Sequence, residues 1–471
     1  MTRSSRGLRP AVALLILIVA ACSGGSPVPP RARHSAALKT AEPSPSTPTV
    51  AVGAPFTGAF PCQTSFTCAT LSVPLDRRHP NAFRLPLQVA VETEPAAPRG
   101  VLLLLSGGPG AAAVPTASEL LAQLGPDVVA AYRVVLIDQR GTGSTALSCN
   151  ALQTTLTVDL TPQASALQDC ARTLGDNRRF YATDDVVADL EDLRAALQAP
   201  KMTLFAVSYG TFVAQEYSIA HPSRTRALVL DSVLSYDLDD PLQLGVMRAA
   251  RRVLVAACRA AKCPGDPVAD LAAVVRSSGQ GVALLEAMAA TSRTEPTFED
   301  LLPALQDARR GDSTKLDRYL DSFRRAPAAA PEIFSNATHA SASCRDQVFA
   351  WGRSDAPLST RSPALRRAAA AHPESDFAPF DRATAVGSSV VRECLPWPPV
   401  ARASIRRPVR LPAVATLLLA GGRDLSTPLE YARQALRQSP RARLVVEPGA
   451  GHIVTAHDGK GRAAVRRFLL R

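Results

Sequence analysis

Met202-Thr203-Leu204-Phe205-Ala206-Val207, followed by Ser208-Tyr209-Gly210-Thr211, is the stretch on which the fold turns. The first six residues read as a short strand apolar enough to be buried, and Phe212 to Tyr217 behind them carry helical signals. A serine between strand and helix, with small residues at 206 and 210, is the pattern of a nucleophile elbow. There the two backbones come so close that only small side chains fit, and the serine takes a strained conformation with its hydroxyl exposed. The first small residue is usually glycine, so Ala206 is a mild departure. Taken alone the pattern is weak, because an ordinary strand-to-helix turn can carry a serine. Its meaning depends on what the rest of the chain supplies.

Outward from the elbow, short and nearly continuous apolar runs recur at 101–105, 134–137, 204–207, 227–230, 416–419 and 443–446. Helical stretches separate them, as a parallel sheet buried on both faces requires. Residues 70–76 and 85–93 instead alternate apolar and polar, which predicts antiparallel strands at the start. The helix before the elbow is expected over 184–198, with Val186, Val187, Leu190, Leu193 and Leu197 on one face and Asp184 as its cap. Between 235 and 405 strand signals vanish, and amphipathic stretches such as 242–261 and 271–290 take over. The reading is an α/β core in two parts, 56–234 and 406–471, with a helical cap inserted over 235–405.

The 471 residues, 46% of them hydrophobic, suffice for a large core plus that insertion. Residues 1–22 stand apart. Arg3, Arg6 and Arg9 precede an apolar run too short to span a bilayer, and Val19-Ala20-Ala21-Cys22 resembles a bacterial lipobox. Cys22 is then the lipidated residue that anchors the chain to a membrane; an ordinary secretory signal is the rival, and both export the protein. Residues 23–55, rich in Pro, Ser and Thr, read as a disordered tether. Apart from Cys22, eight of the nine cysteines remain, and nearest-neighbour pairing gives Cys62–Cys68, Cys149–Cys170, Cys258–Cys263 and Cys344–Cys394. Eight cysteines allow about a hundred connectivities, so this pairing is only the simplest. The chain has no C-x-x-C, and no histidine at ligand spacing from a cysteine pair, which argues against a zinc site. The net charge of +12 comes from scattered arginines without interleaved aromatics, a poor match to a nucleic-acid surface.

An acyl-transferring serine needs a base, a group that orients the base, and donors for the oxyanion. Of the seven histidines, His452 follows the last strand through Pro448-Gly449-Ala450-Gly451, a loop flexible enough to swing an imidazole over the sheet edge. For the acid, Asp424 in Gly421-Gly422-Arg423-Asp424 gives the chain order Ser, Asp, His, while Asp231 at the end of the preceding strand is the second candidate. Just beyond, Thr427-Pro428-Leu429-Glu430 fits a capping box. Ser106-Gly107-Gly108-Pro109-Gly110 follows the strand at 101–105, and the N–H groups of Gly108 and Tyr209 are the expected oxyanion donors. The glycine loop has neither the Lys-Ser/Thr ending of a phosphate loop nor dinucleotide spacing, so no cofactor is expected.

Together with Asp138-Gln139-Arg140-Gly141-Thr142-Gly143-Ser144, Thr427-Pro428 and Gly449-Ala450-Gly451-His452, these motifs resemble the proline iminopeptidase and tripeptidyl aminopeptidase family of α/β-hydrolases, particularly secreted actinobacterial members. Ser106 stands where that family often has His, and Ala206 where it often has Gly. The resemblance implies release of short peptides or single residues from free N-termini, beneath a helical cap that limits access. An aminopeptidase must hold a cationic amine, and Asp237, Asp239, Asp240, Glu332 and Asp346 are the carboxylates available in the insertion. A carboxylesterase or lipase-like enzyme with the same triad remains the alternative. A catalytically dead lipoprotein that only binds peptides is a third.

Overall fold

The strand that delivers Ser208 lies inside a nine-stranded sheet. The protein is described by a computed structural model over residues 56–471, apart from 63–64, 94–96, 159–163, 238–239, 295, 402–409 and 458. The signal and tether expected over 1–55, Cys22 among them, lie outside the described residues, as does Asp239. The strands are β1 (Phe56–Cys62), β2 (Phe66–Pro74), β3 (Arg84–Glu92), β4 (Val101–Leu105), β5 (Arg133–Ile137), β6 (Met202–Val207), β7 (Thr225–Asp231), β8 (Ala415–Gly421) and β9 (Ala442–Glu447). Their order is β1-β2-β3-β5-β4-β6-β7-β8-β9. β1, β2, β3 and β5 pair antiparallel in succession, and every pair from β5 through β4 to β9 is parallel.

Period-two alternation explains why the central strands are apolar throughout. Leu103 and Leu105 of β4 join Leu190, Leu193, Val213 and Tyr217 on one face. Leu102 and Leu104 join Val134, Phe205, Ala464 and Val465 on the other. Helices Thr183–Ala196 and Tyr209–Ala220 cover the first face, and Lys460–Leu469 covers the second. Each fully buried Leu contributes roughly 1.5–3 kcal/mol. The five apolar positions expected on the helix before the elbow are all buried there.

Among the described residues no strand lies between β7 and β8; helices from Leu244–Ala261 to Ser389–Cys394 fill the interval. Their core, including Leu254, Leu271, Leu284, Met288, Leu305 and Trp397, is shared with Leu152, Leu167 and Cys170 of the helices Asn150–Val158 and Ala164–Leu174 and with Leu425 and Tyr431. The stretch 271–290 is not one helix. Gly279, at φ 66°, closes Pro267–Ser278 in a left-handed cap, and Gly281–Thr294 starts anew. Asp184 is not a cap either: the helix begins at Thr183, and the Asp184 carboxylate binds the Asp185 N–H and Arg345. β1 had no sequence signal, because an edge strand reading Phe-Thr-Gly-Ala-Phe-Pro-Cys, exposed at most positions, has neither alternation nor an apolar run.

The four disulfides join neighbours as the simplest pairing expects, Cys62–Cys68, Cys149–Cys170, Cys258–Cys263 and Cys344–Cys394. Such bonds persist in oxidising compartments. Among the described residues no helix is long and apolar enough to cross a membrane.

The motif around Arg140 is structural. Its guanidinium, fully buried, binds both Asp189 oxygens at 2.7 Å and the carbonyls of Pro74, Leu75 and Phe180. Asp138 Oδ1 accepts from the Ala113 and Val114 N–H groups, both at 2.8 Å, and so braces the chain that leaves the glycine loop. Burial raises the Asp138 pKa from 3.8 to about 6. The folded state therefore binds this proton more tightly than the unfolded chain, and the resulting stabilisation is lost as pH rises from 3.8 towards 6. Asp138→Asn keeps the accepting oxygen and removes the titration. Relative to the wild type the variant should gain up to about 3 kcal/mol between pH 4 and pH 7. Parallel unfolding profiles for the two proteins across that range would refute it.

Candidate active site

Ser208 follows β6 directly and takes the N-cap position of the helix Tyr209–Ala220, at φ 55° and ψ −127°. A non-glycine residue there is strained, and the strain persists because its neighbours hold it on all sides. The Ser208 N–H binds the Asp231 carbonyl at 2.9 Å. Its side chain is half-buried, and the following N–H, that of Tyr209, is the first of a helix and has no intrahelical partner. Gly210 permits the close crossing. A Cβ at that position would stand 2.6 Å from the Ser106 carbonyl oxygen and 2.8 Å from that of Leu105. Gly210→Ala must therefore push β4 away from the helix. The expected cost is about 1–3 kcal/mol, read as a lowered unfolding midpoint together with a loss of turnover. An unchanged midpoint would show the crossing to be looser than these distances require.

The glycine loop presses on the serine from the other side: a Cβ on Gly107 would lie 2.8 Å from Ser208 Cβ. Gly108 adopts φ 107°, and the Ser106 hydroxyl donates to the Ala111 carbonyl at 2.6 Å, tying the loop's two ends together. Ser106 thus braces the loop.

Asp424 and His452 meet at 2.9 Å, Oδ2 to Nδ1, and both are buried, at 0% and 6% exposure. An ionised carboxylate only accepts, so Nδ1 carries the hydrogen and Nε2 is left with its lone pair, as a general base requires. Burial pushes the Asp424 pKa up, but the His452 imidazole and the Thr427 hydrogen bonds outweigh it and hold the pKa below the usual range. Thr427 departs from its expected part. Helix Leu429–Gln438 begins after Pro428 without a side-chain cap, and Glu430 pairs instead with Arg252 at 2.9 Å. The Thr427 hydroxyl donates to Asp424 Oδ2 at 2.8 Å and lies 3.3 Å from His452 Nδ1.

Gly451, next to the histidine, serves close approach, whereas Gly449 of the same loop faces open space. A Cβ on Gly451 would collide with the Ser292 carbonyl of the inserted helix Gly281–Thr294, and the His452 N–H binds that same carbonyl at 2.8 Å. Asp231, the second acid candidate, grips the chain just past the histidine. Its carboxylate accepts from the Val454 N–H at 2.9 Å and from the Thr455 N–H and hydroxyl at 2.8 and 2.5 Å. The adjoining Ser232 hydroxyl accepts from the Ile453 N–H at 2.7 Å, holding Ile453 at φ 61°. One residue pair at the end of β7 therefore ties the histidine loop to the strand end beside Ser208.

Of the carboxylates considered for an amine, Asp237 is bound to Ser235, Gln434 and Gln438. Asp240 accepts from the Leu244 and Gly245 N–H groups at the start of its helix. Asp346 is buried against Tyr209 and Thr183, and Glu332 is exposed. Among the described residues no group of His, Cys, Asp and Glu side chains could hold a metal ion.

Residues 100–456 match the family described by the alpha/beta hydrolase fold. The chain belongs to this family. Three curated relatives of the hydrolase are informative. Serine protease Hip1 of Mycobacterium tuberculosis is 28% identical over 200 residues, covering 39% of this chain and 38% of that one. Proline iminopeptidase of Neisseria meningitidis is 35% identical over 137 residues, 29% of this chain and 34% of the other. Tripeptidyl aminopeptidase of Streptomyces coelicolor is 28% identical over 193 residues, 36% of each. The hydrolase thus spans little more than a third of the length of the curated relatives it matches.

Proposed function

We propose that the protein is an exported serine hydrolase of the aminopeptidase type, which releases short peptides, tripeptides foremost, or single residues from free N-termini. The observation that carries the chemistry is the buried Asp424–His452 hydrogen bond of 2.9 Å, on a loop anchored by Asp231 at the strand end next to the elbow serine. Ser208 Oγ attacks the scissile carbonyl while His452 Nε2 takes its proton, and the N–H groups of Gly108 and Tyr209 hold the oxygen that gains the charge. The imidazolium, stabilised by Asp424, then protonates the leaving amine, whose departure leaves an ester on Ser208. Water, deprotonated by the same imidazole, hydrolyses that ester and returns the serine.

Three things support a peptide as substrate: the motif set, the names of the three relatives, and an inserted helical layer whose Ser292 touches the histidine itself. Export with a lipid anchor at Cys22 fits the lipobox-like start and the four disulfides. The deciding experiment runs peptidyl-arylamides with free and with acetylated N-termini beside short acyl esters. A free amine should raise kcat/KM at least about tenfold, the worth of one charge-assisted contact. If blocking the amine changes nothing and only esters turn over, the enzyme is a carboxylesterase.

A further inference from the structure

One helix of the insertion, Asn336–Asp346, contacts the glycine loop just after Gly108 and the side chain of Tyr209. At its start the Ser335 N–H binds the Gly110 carbonyl at 2.9 Å, and the Ala112 N–H binds Ile333 at 3.0 Å, so the glycine loop and the helix share a short stretch of backbone pairing. One turn on, His339 Nδ1 lies 3.1 Å from the carbonyl of Pro109, the residue after Gly108. A carbonyl only accepts, so Nδ1 is the donor. His339 Nε2 lies 3.4 Å from Glu393 Oε2. Burial lowers the His339 pKa, but the Glu393 carboxylate and the Pro109 carbonyl outweigh it and the net shift is upward. The Cys344–Cys394 disulfide joins this helix to the residue after Glu393 and so holds the pair together.

At the other end Asp346 Oδ2 accepts from the Tyr209 hydroxyl at 2.7 Å and from the Thr183 hydroxyl and N–H at 2.7 and 3.1 Å. Tyr209 thus has its N–H beside the serine and its ring end fixed by the insertion. In the first turn, beside His339, the Thr338 hydroxyl donates to the Gly141 carbonyl. A helix is stiff over three turns, so its two ends fix the loop and the tyrosine relative to each other.

We propose that the helix Asn336–Asp346 is the positioning element of the oxyanion hole, holding the Gly108 loop through His339 and Tyr209 through Asp346. This rests on the serine-hydrolase reading above. Its consequence is that the insertion governs the transition state as well as access, since donors displaced by about an ångström lose about a hundredfold in rate. Neither His339 nor Asp346 touches the reacting atoms; both act through their neighbours.

The test compares the full chain with His339→Ala, His339→Asn and Tyr209→Phe. Rates are taken per active site titrated with a fluorophosphonate, alongside KM, the affinity of a trifluoromethyl ketone that forms a tetrahedral adduct, and the unfolding midpoint. His339→Ala and Tyr209→Phe should lower kcat about 10- to 100-fold with KM within about twofold, and weaken the ketone by a like factor. His339→Asn, whose amide nitrogen stands where Nδ1 does, should recover most of the loss. Unchanged kcat and ketone affinity in both deleted variants overturn the proposal, even if the midpoint falls, because that would mean the contacts only stabilise the fold. Failure of the fluorophosphonate to label Ser208 in the wild type instead overturns the serine-hydrolase reading itself, and is read before any variant is compared.

Discussion

Ser208→Ala should abolish fluorophosphonate labelling and lower kcat by about 10⁴- to 10⁶-fold, leaving only what binding and the oxyanion donors supply. The size follows from what is removed. Without the hydroxyl no acyl-enzyme forms, and the only remaining route is direct attack by water held near His452. The unfolding midpoint should hardly move. The lost oxygen is half-buried, and the strained backbone at φ 55° is kept by the Asp231 carbonyl and the helix that follows, neither of which the substitution touches. Binding of a product-like peptide should survive within a few-fold. A variant that keeps more than about a hundredth of the activity would mean that another nucleophile carries the reaction, since loss of the attacking serine should cost orders of magnitude more.

That prediction draws on residues legible in the sequence, and the reason is physical. The elbow needs a buried strand, a small residue two before the serine and another two after it, all within one short segment where local pattern suffices. Asp424 and His452 are legible for a related reason: Asp424 follows the strongly apolar β8, His452 follows the apolar run Leu444-Val445-Val446 of β9, and chain order narrows the choice. What stayed hidden depends on contacts across the fold. Thr427 lies in a stretch that satisfies the capping-box pattern, yet its hydroxyl is drawn to a buried carboxylate whose lone pairs need donors. Asp231 reads from sequence as a rival acid, and only the register of β7 beside β6 and β8 brings it under the N–H groups of Val454 and Thr455. His339 lies in a stretch of small and polar residues without strand signals, and it matters because the insertion folds back on the glycine loop 230 residues earlier in the chain. The break at Gly279 is hidden from sequence because Leu271, Val274, Val275, Leu284 and Met288 keep an apolar periodicity across it, although they belong to two helices.

Asp424→Asn and Asp231→Asn, made side by side, should separate orientation of the base from support of its loop. In Asp424→Asn the amide presents a donor where Nδ1–H needs an acceptor. The ring then favours the tautomer with hydrogen on Nε2, which cannot take the serine proton, and the expected loss is about 10⁴-fold in kcat. Thr427 also loses an acceptor, so some stability goes as well, about 1–2 kcal/mol. Because Asp424 titrates below the ordinary carboxylate range, the wild type keeps the charged partner through mildly acidic pH, and the contrast between the two proteins should persist there. Asp231→Asn has the opposite profile. Burial raises the Asp231 pKa against hydrogen bonds from Thr455 and Val454 that favour its charge, so the carboxylate is costly to bury and already well supplied with donors. An asparagine keeps one accepting oxygen and sets an amide against N–H groups at the other. Unfolding should become easier by about 1–3 kcal/mol, while kcat per titrated site falls no more than about tenfold, through a looser His452. If Asp231→Asn instead costs more turnover than Asp424→Asn at an unchanged midpoint, the strand-end carboxylate is the acid of the triad. The 2.9 Å contact between Asp424 and His452 would then be only structural.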